Sequence, residues 1–236
     1  MHLTLLFLLY FLSACISTEA NAADAAEREV IGFSKDGDWF AFEEFGVQDG
    51  SGFPYSNIYI INTDRDAWAT DSPYRILIER EDGSLKEARD KARKAAAEAL
   101  ARYGTFHPGR LLASNAVGEV VPNPKLITFR RFHNVGELWA VRIKSFPLKG
   151  PKSCDGLGRT VGIALKAGKA EGDLRELYRD KSIPESRGCP LDYRIADVIA
   201  FDGRGSDKIV VLLHKLSFGF EGQDARYLAV PARLSE

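Results

Sequence analysis

The stretch 31–64, IGFSKDGDWFAFEEFGVQDGSGFPYSNIYIINTD, constrains the fold more than any other part of the chain. Apolar and aromatic residues come in short runs, and each run ends at a turn rich in glycine, aspartate or proline. Lys35-Asp36-Gly37-Asp38 places Asp-Gly at the heart of such a turn, a strong hairpin signal. Residues 39–45 then read as a strand. Trp39, Ala41, Glu43 and Phe45 fall on one face, and Phe40, Phe42 and Glu44 on the other. Both faces begin apolar, so the strand is expected to be buried on both sides, with Glu43 and Glu44 marking its wet end. A loop with three glycines and a proline follows at 46–55, and 57–62 is the next strand. A chain punctuated in this way folds into antiparallel sheet.

The pattern continues to the C-terminus. Further strands are expected at 29–34, 74–80, 125–132, 138–146, 159–167, 192–201, 208–216 and 226–230. Residues 173–179 suit either a strand or a short helix. One helix interrupts the series. Ser84-Leu85-Lys86-Glu87 is a capping box, 86–103 is rich in Ala, Lys, Arg and Glu, and Gly104 suits a left-handed C-terminal residue. Leu85, Ala88, Ala92, Ala95, Ala99 and Tyr103 are expected on its apolar face. Glu87–Lys91 and Asp90–Lys94 are expected as ion pairs on its wet face. An alanine stripe lets a helix lie close to the domain's own sheet; a partner-binding helix is the alternative. The expected fold is therefore mainly β: a propeller-like or sandwich-like antiparallel domain with one long amphipathic helix at about 84–103.

Segments 37–61 and 206–230 share a plan of turn, buried strand, glycine-bearing loop and strand, each in 25 residues. Asp38 matches Asp207, and Gly50 matches Gly219. If the two are spatial counterparts, loops 46–56 and 217–225 gather at one end and form a binding surface. Glu43, Glu44, Gln48, Asp49, Ser51, Tyr55, Glu221 and Asp224 are the candidate residues there.

At the N-terminus, 3–16 is an apolar run broken only by Thr4 and Ser13. It is too short to cross a bilayer, which takes ~20 residues, and suits a signal peptide. Ala20-Asn21-Ala22 suits the peptidase, so 1–22 is expected to be removed, leaving 23–236 as one exported domain. Leu12-Ser13-Ala14-Cys15 resembles the lipobox of bacterial lipoproteins. Lipidation of Cys15 is therefore the alternative to free secretion, and both readings export the chain. No later stretch is apolar enough to span a membrane. Cys154 and Cys189 remain as an even pair in an oxidising compartment. The expected disulfide closes a loop of about 36 residues, worth at most about 4 kcal/mol by chain entropy; two unrelated buried thiols are the alternative.

The chain has 32 Lys+Arg against 33 Asp+Glu, and removing 1–22 takes away only Glu19. This balance argues against nucleic acid as a partner and offers no overall attraction to an anionic membrane. His107, His133 and His214 are isolated, so no metal site is expected. Asp64, Asp66 and Asp71 lack the glycine and glutamate of a calcium loop. Ser51 does not sit in G-x-S-x-G, and Gly156-x-Gly158 is no phosphate loop, so nothing calls for a cofactor. Glu43 and Glu44, adjacent on a strand, point to opposite faces and cannot flank one bond as a glycosidase pair does.

The phrase from Phe33 to Phe42, FSKDGDWFAF, is similar to the blade motif of periplasmic β-propellers, with Lys35 where that motif has proline. That likeness implies a tight turn between strands and no chemistry. FAFEEFGVQDGSGFPY at 40–55 and GFEGQD at 219–224 resemble a bacterial family of predicted secreted proteins. The resemblance implies export and a shared fold, and brings no catalytic residue. The function expected is that of a non-enzymatic exported binding or envelope-associated protein, its ligand or envelope partner unknown. The alternatives are an exported hydrolase and a lipid-anchored assembly partner. A histidine gathered with a serine and an acid in a pocket favours the hydrolase; a cleft lined by aromatic residues without that set favours binding.

Overall fold

The computed structural model describes residues 24–116, 118–132, 135–203 and 206–234. The segment expected to be a signal peptide, its expected cleavage site and Cys15 lie outside these residues, as does His133. The expected alternation is realised as three antiparallel sheets. Sheet I contains β1 (Glu27–Phe33), β2 (Trp39–Val47) and β3 (Pro54–Asn62), with the short β4 (Ala67–Trp68) and β5 (Tyr74–Leu77) both pairing with β3. The helix α1 (Leu85–Tyr103) and the strand β6 (Arg110–Ser114) follow. Sheet II is a meander of β7 (Leu126–Phe132), β8 (Val135–Pro147), β9 (Val161–Lys169) and β10 (Arg175–Arg179). Sheet III holds β11 (Asp192–Ala200), β12 (Lys208–Phe218) and β13 (Gln223–Arg233), with β6 beside β11. None of the sheets closes into a barrel. The segment 173–179, open to two readings in the sequence, is strand.

The layers stack in the order α1, sheet I, sheet III, sheet II. On one side of sheet III, Ile195, Val211 and Leu213 pack against Val141, Ile163 and Leu165 of sheet II. On its other side, Ala196, Ile199, Val210 and Leu212 pack against Phe33, Phe40 and Phe42 of sheet I. Sheet III is thus covered on both faces, which is why β12 opens with the unbroken apolar run Ile209-Val210-Val211-Leu212-Leu213. Pro231, which cannot donate to a ladder, is tolerated because β13 is an edge strand.

The outer face of sheet I carries α1. Ala92 and Ala96 pack on Ile58, and Ala99 on Ala41 and Ile60. The buried stripe is Ala88, Ala92, Ala96 and Ala99; Ala95, expected on this face, is exposed. The sheet meets a stripe spaced four, four and three residues apart, and Ala95 lies about 100° round the helix from Ala96. Ser84 Oγ accepts the Glu87 N–H at 3.1 Å, and Gly104, at φ 64°, closes the C-terminus. The capping box is half realised, because the Glu87 carboxylate turns to Arg80 and Lys91 instead. Lys86–Asp90 forms where Asp90–Lys94 was expected.

The disulfide joins Cys154 to Cys189, with Cα atoms 5.5 Å apart. It ties the loop after β8 to the loop after β10.

Candidate functional site

A cleft of about 390 Å³ opens where the three sheets come together. Sheet I supplies Glu44, Asn57, Tyr59, Trp68 and Arg75, together with Asp66 in the β3–β4 turn. Sheet III supplies Lys215, Arg226 and Tyr227. Sheet II supplies Tyr178, and the loop behind it supplies Ser186 and Arg187. The strand pairing explains the sheet I wall. Glu44 lies opposite Asn57, and Phe42 opposite Tyr59, so these side chains share the face that looks toward sheet III. The disulfide fixes the opposite wall, since Cys189 stands two residues beyond Arg187.

Glu44 forms the floor. It is 1% exposed and accepts the Tyr227 N–H at 2.6 Å, Asn57 Nδ2 at 3.1 Å and the Tyr59 hydroxyl at 3.4 Å. Burial pushes its carboxyl above the usual range, and the Tyr227 N–H, Asn57 and the charges of Arg226 and Lys215 offset only part of that. Lys215 mirrors it. Burial pulls the ammonium down, Glu44 partly restores it, and its hydrogen bond runs to the Arg187 carbonyl at 3.0 Å. Burial also raises Asp66, against the pull of Arg187 across the cleft.

The four cations of the cleft divide into two kinds. Arg187 is tied to Asp180 at 2.6 Å, and Arg226 to Asp24. Arg75 lies 5.7 Å from the centre of the Trp68 ring, and neither it nor Lys215 has an ion-pair partner among the described residues. The walls therefore present two cations that no carboxylate of the described chain neutralises by contact, beside the faces of Tyr59, Trp68, Tyr178 and Tyr227.

Of the candidates read from the sequence, the structure brings Glu44 to this cleft. Glu43 faces α1, as alternation along β2 requires, and bonds Arg89, Arg93 and Ser56. Neither glutamate is at a wet end: both are buried, Glu43 at 0% exposure. Residues 37–61 and 206–230 are indeed corresponding hairpins, and their loops touch. Asp49 Oδ2 accepts the Glu221 N–H at 3.0 Å, and a side chain at Gly50 would run into Phe220. Within that end, the Ser51 hydroxyl donates to Gln48 Oε1 at 3.0 Å, and Asp224 lies 3.8 Å from Arg226. Tyr55 is buried, donating to Asp24 Oδ1 at 3.1 Å beneath the Arg226 guanidinium.

The lining that the sequence reading missed is Asn57, Tyr59, Trp68, Arg75, Tyr178, Arg187, Lys215, Arg226 and Tyr227. One signal was present: His214-Lys215 interrupts an apolar strand, and a cation inside a buried strand needs a reason. His214 is buried against Tyr227, and burial lowers it to about 4, facing Asp197 and Arg28 rather than a serine. His107 is exposed and belongs to the bridge with β1. No group of three His, Cys, Asp or Glu side chains suited to a metal occurs among the described residues. No helix among them is long and apolar enough to cross a membrane.

A comparison with curated proteins finds no match. A family model described as predicted secreted protein (DUF2259) matches residues 41–233, which include every strand of sheets II and III and all of the cleft lining. Because the match extends over most of the sequence, the chain belongs to this family of predicted secreted proteins.

Proposed function

We propose that the chain is an exported binding protein and that the three-sheet cleft is its ligand seat. Its volume falls at the small end of small-molecule sites, which span about 300–1,000 Å³. The observation that carries the reading is the pair Arg75 and Lys215, cations without carboxylate partners among the described residues, beside four aromatic faces. Half-buried Lys215 gains most from a counter-charge that arrives dehydrated, and exposed Arg75 adds a second positive charge on the wall. The ligand that fits is a compact organic anion with a flat apolar part: the anion lies between Lys215 and Arg75, and the ring against Trp68 or Tyr59. The described lining contains no histidine, which favours binding over hydrolysis.

Trp68 reports on the site, being 41% exposed while Trp139 is 5% exposed. Titration with phenyl phosphate or 4-hydroxybenzoate should quench its fluorescence saturably and raise the melting temperature. Lys215→Met and Arg75→Gln should each weaken that response about tenfold, the loss of one charge-assisted contact. Benzyl alcohol, matched in size and uncharged, should give little response. If none of these probes moves either signal, the cleft is not a ligand seat.

A further inference from the structure

The near-zero total charge conceals an uneven distribution. Residues 125–190, which contain sheet II and its loops, carry 14 Lys and Arg against seven Asp and Glu. The remainder carries 18 against 26, since the whole chain has 32 and 33. One structural unit is therefore strongly basic and the rest acidic. Sheet II is also a terminal layer of the stack, at the opposite end from α1, and among the described residues no other sheet or helix covers its outer face. The charge separation thus runs along the stacking direction and gives the molecule an electrostatic front and back.

The register shows where the charge falls. Val141, Ile143, Ile163 and Leu165 point inward to sheet III, so Arg142, Lys144 and Lys166 point outward, and all three are exposed. Arg130 and Arg179 share this outer face, with Glu176 the acid among them. Arg142 stands directly opposite Lys166 across β8 and β9. Like charges in direct cross-strand register oppose folding. Lys166 also faces Glu176, but that carboxylate is engaged by Arg179 at 2.6 Å. None of Arg142, Lys144 and Lys166 has an ion-pair partner among the described residues. Arg142 and Lys166 flank a shallow groove of about 340 Å³ that also holds the Thr128 side chain, with Asp173 at its rim.

We propose that the outer face of sheet II docks on an anionic lipid surface, one lipid phosphate seating in the groove between Arg142 and Lys166. Charge complementarity selects this occupant. The face is broad and open, with cations spread over several strands, as a planar array of headgroups requires. It has no ladder of stacked aromatic rings such as single-stranded nucleic acid uses. Arg179, which covers the Phe146 ring at 5.1 Å, extends the same face. The acidic remainder of the molecule is repelled by the same surface, so attraction and repulsion together fix one orientation. This docking is independent of the cleft and leaves it open to solvent.

The test uses the exported protein with the N-terminus it acquires in the cell. Vesicles of phosphatidylcholine alone are compared with vesicles containing roughly 30% phosphatidylglycerol, at about 50 and 300 mM salt. We expect flotation with the anionic vesicles to exceed that with the neutral ones at least tenfold at low salt and to fall steeply at high salt. Arg142→Gln/Lys144→Gln/Lys166→Gln should lose at least tenfold of that excess while melting no lower than the parent, because a like-charge pair is removed. Lys86→Gln/Lys94→Gln on the opposite layer should keep it. Equal flotation with both vesicle types overturns the proposal, as does a triple variant that floats like the parent. Retention on heparin without preference for anionic vesicles also overturns it and points to a soluble polyanion instead.

Discussion

On the helix side of β2, Glu43 meets two guanidinium groups and a serine hydroxyl; on the cleft side, Glu44 meets an amide N–H, an asparagine and a phenol. The two residues are adjacent and equally removed from water. Burial pushes Glu43 upward too, but Arg89, Arg93 and Ser56 together outweigh it and hold that carboxyl below its usual range. Glu44 has no such contact partner and stays raised. The difference separates two uses of a buried acid. Glu43 clamps α1 to sheet I through a network whose hydrogen bonds are filled. Glu44 keeps unspent capacity at the floor of an open cleft, a combination more typical of a functional group than of a structural one.

The sharpest way to break this contrast is Glu43→Ala. Arg89 and Arg93, both part-exposed, would keep Glu29, but several charge-assisted hydrogen bonds, each worth about 1.5–3 kcal/mol, would be lost together. Urea unfolding monitored by circular dichroism measures the loss, and a cost under about 1 kcal/mol would mean that Glu43 does not clamp the helix. Next in size is the cleft's far wall. Cys154→Ser/Cys189→Ser should cost about 2–4 kcal/mol and weaken the Trp68 response to anions, because Arg187 loses its tether. Unchanged probe binding would detach the disulfide from the site. Glu44→Gln preserves shape and an acceptor for the Tyr227 N–H while deleting a charge that burial disfavours. Its cost should stay below about 1 kcal/mol. A loss matching that of Glu43→Ala would mean the two acids do the same work.

The smallest effects should appear as opposite slopes against pH. A carboxyl lowered in the fold, as Glu43 is, contributes stability above its ordinary value of 4.5 that is lost as pH falls through the folded value. A carboxyl raised in the fold, as Glu44 is, contributes stability below 4.5 that is lost as pH rises through the folded value. Glu43→Gln should therefore soften the acid-side decline, and Glu44→Gln the decline above 4.5, in melting temperatures taken from pH 3 to 8. Slopes of the same sign for both variants would contradict the assignment.

Alternation along β2 was enough to place Glu43 and Glu44 on opposite faces. Their burial was not legible, because it depends on partners far along the chain: Arg89 is 46 residues away and Tyr227 is 183. α1 and most long strands were legible from a 3.6-residue or two-residue period, and β12 from an unbroken apolar run bounded by turns. The two-residue β4 and the five-residue β6 carry too little pattern to be read, and both were missed. Ala95 and Ala96 could not be told apart because both are alanine, and only the surface of sheet I chooses between them. The loops of the two hairpins touch, as their shared plan suggested, while the cleft lies beside β13 and draws on residues far apart in the chain. Charge was read only as a total, although the basic run from 125 to 190 was visible residue by residue.

The first described residues are stitched to the last ones. Ala25 bridges Ala225, Asp24 holds Arg226, and Arg28 donates to Asp197 through Nε and Nη2, beside the bulge at Ala196 in β11. A chain made N-terminus first cannot complete these contacts until nearly all of it has been synthesised. Partners separated by some 170 to 200 residues make for slow, late closure. Such wiring leaves the native state unfinished until the last strand is available, a trait that suits a member of a predicted secreted family.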